Sequence, residues 1–239
     1  MKVIITSGPM QMEIDKVRKI ENSSTGKLGT LFAQKFNELK YNVTYIHTAK
    51  ALCPQAENIK KILIATPKEL LEVLKSEIIQ DCVVIHLMAI NDFQYQGSIN
   101  INQLFEEILV NKNKITKKAD LQTIFNKIIK KEDKLTSQEE QLLYLTQEIK
   151  IIDQIKKINK SVRLVGFKLL ANITDEELLE VGKNLKQRAD CEIVVANKKE
   201  TITNKEHQAF LITNLAITKV MTKEEIVKEV IKVLKIAKD

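Results

Sequence analysis

Cysteine is scarce in this 239-residue chain, and its three residues, Cys53, Cys82 and Cys191, are scattered without paired spacing. This distribution argues against a disulfide framework and against a zinc site. Nothing in the pattern supports a catalytic cysteine, and we interpret Cys82 as a buried thiol because it opens an apolar run. The cysteine usage therefore favours a reduced, cytoplasmic setting.

Long hydrophobic runs are also missing, since no stretch approaches the ~18 apolar residues of a membrane span. Met1 lies two residues before the first predicted strand, so we expect no signal peptide. Four motifs are absent as well: GxGxxG after the first strand, GxxxxGK[ST], HExxH and GxSxG. Their absence argues against a usual dinucleotide fingerprint, a P-loop, a zincin metal site and a nucleophile elbow.

Acidic residues are outnumbered, 31 against 38 Lys and Arg, which gives a net charge of +7. Such an excess suits nucleic acid, a membrane surface or phosphorylated substrates. However, the lysines alternate with acidic residues on predicted helix faces, as in the stretch 223–229, and solvated faces explain most of them. We therefore expect no nucleic-acid or membrane partner, and a basic nucleic-acid binder is the weakest of three hypotheses.

Glycine is rare too, and three of the six glycines, Gly8, Gly26 and Gly29, lie in or beside one loop. A β-branched run at 3–6 predicts a buried strand before this loop, and an apolar helical pattern begins after it at Lys27. A connection of about twenty residues is too long for a plain link in a compact domain. We therefore consider it a functional loop, with backbone freedom concentrated at its glycines.

The residues just before the predicted helix suggest what that loop binds. Ser24 and Thr25 precede Gly26, so their hydroxyls can cap the helix while its free N–H groups face an anion. Lys27 adds a positive charge, and a phosphate or carboxylate is the expected guest. A capped helix without a ligand is an equally weighted alternative.

Strands alternate with helices along the rest of the chain, which predicts an α/β fold with a doubly wound, mostly parallel, Rossmann-like sheet and helices on both faces. We expect one domain over 1–239, with strands near 42–47, 59–65, 82–90, 161–169, 192–197 and 209–213, and capped helices beginning at Thr66, Thr174 and Thr222. Residues 94–118 are polar apart from a short helix at 102–109, and we interpret them as a candidate lid and dimerisation segment. Residues 120–160 are expected to be helical, with one helix starting at 136–140.

Ligands of such sheets bind at the carboxyl ends of the strands. These ends are predicted at Ser7-Gly8-Pro9, His47-Thr48 and Asn91-Asp92-Phe93. Asp92 is therefore a candidate for a metal, ribose or base contact, with a turn-forming role at equal weight. His86 lies within a predicted strand, where a packed, hydrogen-bonded core residue is the favoured interpretation.

Several segments together resemble phosphopantothenate–cysteine ligases. The opening Ile5-Thr6-Ser7-Gly8-Pro9 is followed by an Asp-x-Val-Arg segment at 15–18 and by Asn22-Ser23-Ser24-Thr25-Gly26-Lys27-Leu28-Gly29. Segments at 86–93, 113–115 and 165–170 agree in order, and the last is similar to the stand-alone bacterial type. The resemblance spans the chain from Val3 to about Asn197.

This resemblance implies a ligase of coenzyme A biosynthesis. The carboxylate of 4′-phosphopantothenate would attack the α-phosphate of CTP, with ATP as an alternative nucleotide. Pyrophosphate would leave, and the amine of L-cysteine would then attack the bound acyl-nucleotide to form 4′-phosphopantothenoylcysteine. The resemblance also implies a requirement for Mg²⁺ and a homodimer.

The resemblance further implies roles for individual residues. Catalytic roles fall to Asn22, which would hold the acyl-nucleotide, and to Lys114 of the lid. The implied substrate-binding residues are Gly8, Asp15, Arg18, Asn22, Ser24, Thr25 and Gly26. The implied nucleotide-binding residues are His86, Leu87, Met88, Ala89, Asp92, Lys114, Phe167, Lys183 and Lys186.

The chain departs from the family pattern at several places. Met10 stands where a threonine hydroxyl is usual, Ser23 replaces a histidine, and Lys198 replaces an aspartate. A proline is missing near 148–150, and residues 124–145 are longer than expected. These departures motivate a second hypothesis: a catalytically altered, nucleotide-binding or regulatory homologue with the same fold.

Overall fold

A computed structural model describes residues 1–135, 139–203 and 206–234 of the protein. Within these residues the chain forms twelve strands: β1 (Lys2–Ser7), β2 (Gln11–Glu13), β3 (Lys19–Glu21), β4 (Asn42–His47), β5 (Lys60–Leu63), β6 (Cys82–His86), β7 (Phe93–Asn100), β8 (Gln141–Gln147), β9 (Arg163–Leu170), β10 (Ile193–Lys198), β11 (Ala209–Ile212) and β12 (Ile217–Val220).

Seven α-helices alternate with these strands in the same described ranges: α1 (Lys27–Glu38), α2 (Pro67–Glu77), α3 (Ile101–Asn111), α4 (Lys118–Ile128), α5 (Ile152–Ile158), α6 (Asp175–Arg188) and α7 (Lys223–Val233). A short 3₁₀ helix follows β10 at Lys199–Thr201. None of the described helices is both long enough and apolar enough to span a bilayer.

The chain divides into two compact units. The first unit comprises Met1–Met10, Ser23–Ile90 and Lys150–Asp239, and the second comprises Gln11–Asn22 and Asn91–Ile149. Both pieces of the second unit are therefore insertions in the sequence of the first.

The first unit is built on an eight-stranded sheet with the order β12-β11-β10-β9-β6-β1-β4-β5. The six strands from β10 to β5 are parallel, whereas β11 and β12 are antiparallel to their neighbours. This arrangement confirms the predicted Rossmann-like α/β class. The strand predicted near 209–213 is observed as β11, but β12, which was not predicted, forms the edge beyond it.

Two apolar clusters lie on opposite faces of this sheet because neighbouring strand residues point to opposite sides. Val3 and Ile5 of β1 face one cluster, and Ile4 faces the other. Helices α1 and α7 pack in the first cluster through residues such as Phe32 and Ile226. Helices α2, α5 and α6 pack in the second, so the predicted helical layers on both faces are confirmed.

The predicted capping residues define three helix starts in the first unit. Thr66 Oγ1 accepts a hydrogen bond from Glu69 N, and Pro67 occupies the first helical position. Thr174 and Glu177 form a reciprocal capping box at the start of α6. Thr222 likewise caps α7. These local signals act within one turn, which is why they are readable from sequence.

The helix start at Lys27 differs from the prediction. Its N-cap residue is Gly26, with φ of 76°, and this residue offers no side-chain cap. The Thr25 hydroxyl accepts only a long hydrogen bond, 3.4 Å, from Lys27 N. The expectation that Ser24 and Thr25 cap the helix is therefore wrong in its main point, because a left-handed turn at Gly26 sets the direction of the chain.

The second unit contains two antiparallel ribbons. Strands β2 and β3 form a hairpin inside the segment that was predicted to be an irregular loop. Strands β7 and β8 form the longer ribbon, with an irregularity between Tyr95 and Gly97. Helices α3 and α4 pack beside β7 around a small cluster that includes Ile99, Ile124 and Ile128.

One prediction for this region is wrong, and one strand was not predicted. Residues 94–118, predicted to be polar with one short helix, form most of β7, all of α3 and a turn at 112–117, and β7 is the unpredicted strand. Their role as a lid and dimerisation segment stays a prediction. Residues 120–160 are not continuously helical, since β8 follows at 141–147. The predicted helix start at 136–140 falls partly outside the described residues, and a strand follows it in place of a helix. The short helix at 102–109 is confirmed as part of α3.

Candidate functional site

Two glycine turns meet at the carboxyl edge of the first unit's sheet. Gly8 has φ of +99°, and a Cβ there would lie 2.5 Å from both Thr48 Oγ1 and Ala51 Cβ. A Cβ on Gly26 would lie 3.2 Å from Ala51 Cβ, while Ser7 Oγ donates a hydrogen bond to Gly26 O at 3.2 Å. The turns after β1 and before α1 are thus in close contact, so both predicted substrate-binding glycines lie where a ligand of this sheet is expected.

The chain after β6 continues along the turn after β1. Leu87 N donates to Thr6 O at 3.1 Å, and Ala89 N donates to Gly8 O at 3.0 Å. Strand β6 itself ends at His86, earlier than predicted. The backbone of 87–89, predicted to contact the nucleotide, therefore lies against Gly8.

His86 supports this backbone from within the core. Its Nδ1 lies 2.8 Å from Thr6 Oγ1, which accepts a hydrogen bond from Met88 N at 3.4 Å. The Thr6 hydroxyl therefore links the His86 ring to the backbone of Met88. Burial lowers the pKa of His86 to about 4, so the ring is neutral at pH 7. The interpretation of His86 as a packed, hydrogen-bonded core residue is confirmed.

In the second unit, Asn22 is joined to a distant segment of the sequence. Its Nδ2 donates a hydrogen bond to Asn91 Oδ1 at 3.1 Å. The neighbouring Asp92 accepts a backbone hydrogen bond from Glu148 N at 3.0 Å. The structure therefore brings the predicted catalytic amide next to the segment that carries the predicted nucleotide contact. Asn91 itself was not among the predicted site residues, because its pairing with Asn22 depends on the fold.

Asp15 and Arg18 are largely occupied in holding the second unit together. The buried Asp15 carboxylate accepts hydrogen bonds from Leu135 N at 3.0 Å and from Val17 N and Arg18 N at 2.8 and 2.7 Å. Arg18 binds the same carboxylate through Nε and also donates to Leu135 O. The hydrogen bond from Leu135, with those from Val17 and Arg18, holds the pKa of Asp15 far below its usual range despite burial. The predicted substrate-binding role of Asp15 and Arg18 stays a prediction beside this structural one.

Lys114 lies in the turn between α3 and α4 of the second unit, where its N donates to Asn111 O at 2.8 Å. Its side chain is exposed, as expected for a residue that reaches a ligand. Asn22 and Lys114 thus belong to the same unit. Their convergence on one nucleotide stays a prediction.

The remaining predicted nucleotide-binding residues separate into two places. Phe167 lies in β9, with its ring edge-on to Phe32 at 6.0 Å between centroids. Lys183 and Lys186 lie in the second half of α6, and Lys186 O accepts a hydrogen bond from Cys191 N just before β10 begins. Lys186 Nζ also donates to Asn214 Oδ1. Lys186 is therefore at the amino edge of the parallel strands, opposite the edge that carries Gly8 and Gly26.

No group of three or more His, Cys, Asp and Glu side chains with metal-binding geometry occurs in the part of the chain that the structure describes. Magnesium often binds through substrate phosphates with only one or two carboxylates. The expected Mg²⁺ stays a prediction.

Comparison with known proteins agrees with this geometry. Residues 1–103 match a family model described as the DNA/pantothenate metabolism flavoprotein C-terminal domain. A crystal structure of the DNA/pantothenate metabolism flavoprotein from Streptococcus pneumoniae superposes with a TM-score of 0.82 at 28% identity, covering 98% of each chain. The resemblance to the phosphopantothenate–cysteine ligase family is confirmed.

Curated relatives of this family extend the match over nearly the whole chain. The coenzyme A biosynthesis bifunctional protein CoaBC of Thermococcus kodakarensis is 28% identical over 94% of this chain and 48% of the relative. The CoaBC protein of Methanocaldococcus jannaschii is 27% identical over 98% of this chain and 50% of the relative. The chain thus spans about half the length of the curated relatives it matches.

A more distant structure shows the fold alone. Cab2, solved in complex with phosphopantothenate-cysteine, is 17% identical with a TM-score of 0.67, covering 98% of this chain and 87% of Cab2. The shared fold at this identity shows that the sheet and its helices persist while most side chains change.

Proposed function

We propose that this protein joins 4′-phosphopantothenate and L-cysteine in a nucleotide-dependent ligase reaction of coenzyme A biosynthesis. The observation that carries the proposal is the hydrogen bond between Asn22 and Asn91, which links the two most chemically distinctive segments of the family motif. The similarity to the Streptococcus pneumoniae structure over 98% of both chains and the phosphopantothenate-cysteine bound to Cab2 support it.

The proposed reaction begins with the carboxylate of 4′-phosphopantothenate attacking the α-phosphate of CTP. The P–O bond to the β-phosphate breaks, pyrophosphate leaves, and the carboxylate becomes an acyl-cytidylate. The amine of cysteine then attacks the acyl carbon, loses a proton, and CMP departs. A carboxylate is a poor acyl donor, and its ester with phosphate supplies the required leaving group.

The residues of this chain have separate tasks in that reaction. The Asn22 amide donates and accepts hydrogen bonds, which suits it to orient the acyl group. The Lys114 ammonium would stabilise charge that develops on the transferring phosphate. The backbone of Met88 and Ala89 would receive the base and ribose beside Gly8. Bound Mg²⁺ would neutralise part of the negative charge on the triphosphate.

A pyrophosphate-release assay tests this proposal with each nucleotide in turn. Release should require both 4′-phosphopantothenate and CTP, with weaker or no release when ATP replaces CTP. Asn22→Ala should lower kcat/KM by about 10²-fold, as loss of one donor to a developing charge does elsewhere. Asn184→Ala, on the exposed face of α6, is the matched control and should leave turnover unchanged.

Lys114→Ala offers a second comparison, with exposed Lys112→Ala in the same turn as its control. The proposal fails if purified protein releases no pyrophosphate with either nucleotide. A dependence on Lys112 equal to that on Lys114 would remove the specific role of Lys114.

The alternative of a nucleotide-binding homologue without turnover is favoured by one structural observation. Met10, which replaces the family's hydroxyl, is fully buried in the core, with its N donating to Ala89 O at 2.9 Å. That position therefore offers packing in place of a hydroxyl. Calorimetry that detects nucleotide binding in a preparation without pyrophosphate release would support this alternative.

A further inference from the structure

A cysteine and a histidine are in contact where strand β4 leaves the first unit's sheet. His47 is the last residue of β4, and its Nδ1 lies 3.4 Å from Cys53 Sγ. The same nitrogen lies 3.1 Å from Thr48 O. Because a carbonyl oxygen can only accept a hydrogen bond, Nδ1 carries a proton. The sulfur of Cys53 therefore faces an N–H donor.

The imidazole ring of His47 is held in this orientation by its neighbours. It stacks on Tyr45, with ring centroids 5.8 Å apart and planes inclined by 26°. Tyr45 is fully buried, and its hydroxyl donates to Leu52 O at 2.7 Å, immediately before the cysteine. The N–H donor is thus preorganised beside the sulfur. A thiolate would accept that hydrogen bond, and the thiolate is the nucleophile of thiol–disulfide exchange.

Cys53 differs from the other two cysteines in its access to solvent. Cys82 and Cys191 are buried, and burial raises the pKa of both thiols. Cys53 is only partly buried and packs against the first apolar cluster. A small disulfide in solution can therefore reach Cys53 in the native protein, whereas the other two thiols are shielded.

The residues just before this cysteine support both glycine turns of the candidate site. A Cβ on Gly8 would lie 2.5 Å from Ala51 Cβ, and a Cβ on Gly26 would lie 3.3 Å from Leu52 N. Leu52 N also donates a hydrogen bond to Thr25 O at 3.0 Å. Since this segment is in direct contact with both turns, a group added to the neighbouring sulfur that displaces the segment would also displace the turns.

A buried hydroxyl makes the same segment easier to displace. Thr48 is 6% exposed, and its Oγ1 has no hydrogen-bond partner among the described residues. A Cβ on Gly8 would lie 2.5 Å from this atom, so the hydroxyl points at the glycine turn. An unpaired buried hydroxyl is costly, and a movement that admits water would recover part of that cost.

We propose that Cys53 is a modification site at which a small disulfide such as cystine forms a mixed disulfide and thereby disturbs the glycine turns. The Cys53 thiolate attacks one sulfur of cystine, the S–S bond of cystine breaks, and one cysteine leaves as a thiolate. That thiolate takes up the proton that Cys53 released, so one disulfide is consumed and one is formed. The proposal rests on the proposed function for the choice of disulfide, because cystine is the oxidised form of the amine substrate.

Intact-mass analysis of the native protein incubated with cystine is the direct test. One cysteinyl group should be added, peptide mapping should locate it at Cys53, and dithiothreitol should remove it. Cys53→Ser should take up none. Absence of the addition, or addition at Cys82 or Cys191, would overturn the proposal. Glutathione disulfide distinguishes the source: faster modification by cystine assigns the site to the oxidised substrate, and faster modification by glutathione disulfide assigns it to the general thiol pool.

The role of His47 is tested by His47→Phe, which keeps an aromatic ring against Tyr45 but has no N–H donor. Cysteinylation of Cys53 should slow by about tenfold or more, the effect of losing one hydrogen bond to a charged group. The parent protein unfolded in urea provides a comparison that needs no variant. Cys53 should react faster in the folded protein than in the unfolded chain, although its sulfur is partly buried. An unchanged rate in His47→Phe, or a faster reaction of the unfolded chain, would refute activation by His47.

Hydrogen exchange tests whether the modification reaches the glycine turns. Amides of residues 6–10 and 24–29 should exchange faster in the cysteinylated protein, while those of α6 should be unchanged. Pyrophosphate release should fall by about tenfold or more, because a misplacement of ~1 Å can cost about 10²-fold. Cys53→Ser should keep its turnover in the presence of cystine. Unchanged exchange at both turns after complete modification would overturn the coupling.

These measurements separate this inference from the proposed function. Cysteinylation of Cys53 with faster exchange at the glycine turns, in a protein that releases no pyrophosphate, would retain this site while the ligase proposal fails. Pyrophosphate release that is the same before and after complete cysteinylation would do the reverse.

Discussion

Replacement of Gly29 by alanine tests whether the close contact between β1 and α1 is needed for stability. The new Cβ would lie 2.3 Å from Ser7 Oγ and 2.7 Å from Ser7 Cβ. Overpacking of this kind costs about 1–3 kcal/mol. Displacing the Ser7 hydroxyl would also weaken its hydrogen bond to Gly26 O, worth about 1 kcal/mol.

One effect opposes this loss. Glycine within a helix is less favourable than alanine by about 1 kcal/mol, so the substitution also stabilises α1. The sum is a net decrease of about 1–3 kcal/mol in the free energy of unfolding. Urea unfolding followed by circular dichroism should therefore show a lower midpoint for Gly29→Ala, with an unchanged slope.

The origin of the effect is tested in a double-mutant cycle. Ser7→Ala removes the atom at 2.3 Å and leaves the contacts with Ser7 Cβ at 2.7 Å and Tyr45 Oη at 3.4 Å, so Gly29→Ala should cost less in that background. Asn184→Ala, on the exposed face of α6, reports the gain in helix propensity without a change in packing. If Gly29→Ala were as stable as the parent protein, the reasoning would be refuted, because Ser7 would then have moved without a cost in free energy.

Two further predictions follow from burial and charge. Asp15→Asn should lower the stability of the second unit, measured as faster hydrogen exchange of the β2–β3 amides. The pKa of Asp15 in the folded protein lies below its unfolded value near ~4. The carboxylate therefore stabilises the folded state above pH ~4, and this stabilisation is lost as the pH falls further. The stability of the Asp15→Asn variant should accordingly depend less on pH below that value. Among the thiols, the partly buried Cys53 should react with a disulfide reagent in the native protein, whereas Cys82 and Cys191 should react only after unfolding. Burial raises the pKa of both, that of Cys191 to about 12, and two rapid equivalents in native protein would contradict this expectation.

Much of the first unit was predictable because its signals are local. The β-branched run of β1, the alternation of strands and helices, and the caps at Thr66 and Thr174 each operate within a few residues. Strand β4 was predicted with its observed boundaries. These features combine into one fold class because short β-α connections leave few topologies.

The second unit was predicted poorly for an equally physical reason. Strands β2 and β3 have three residues each, and every residue of β3 is exposed, so no apolar alternation marks them. Strand β7 is interrupted by an irregularity before Gly97, whose φ of +149° suits a residue without a side chain. Such ribbons are defined by pairing with distant strands, which a local pattern does not contain.

The candidate site shows the same division. Gly8, Gly26 and the segment 86–92 could be identified because they end predicted strands or begin a helix. The Asn22–Asn91 hydrogen bond joins residues that are far apart in the sequence, so it depends on the fold of the second unit. Lys186 was suggested only by the resemblance; it lies in the last turn of α6, at the amino edge of the parallel strands, and its role in phosphate binding stays a prediction.

The outermost strands of the large sheet have a consequence for self-association. Strand β5 carries exposed Lys61, whereas the ammonium group of Lys60 is ion-paired with Glu77, and strand β12 carries exposed Lys219. Within the described residues, each outermost strand therefore presents an ammonium group to an incoming chain. Two such rims repel one another and resist the strand addition that leads to fibrils. The protein can therefore leave an eight-stranded sheet open at both sides and still avoid growing into a continuous ribbon of molecules.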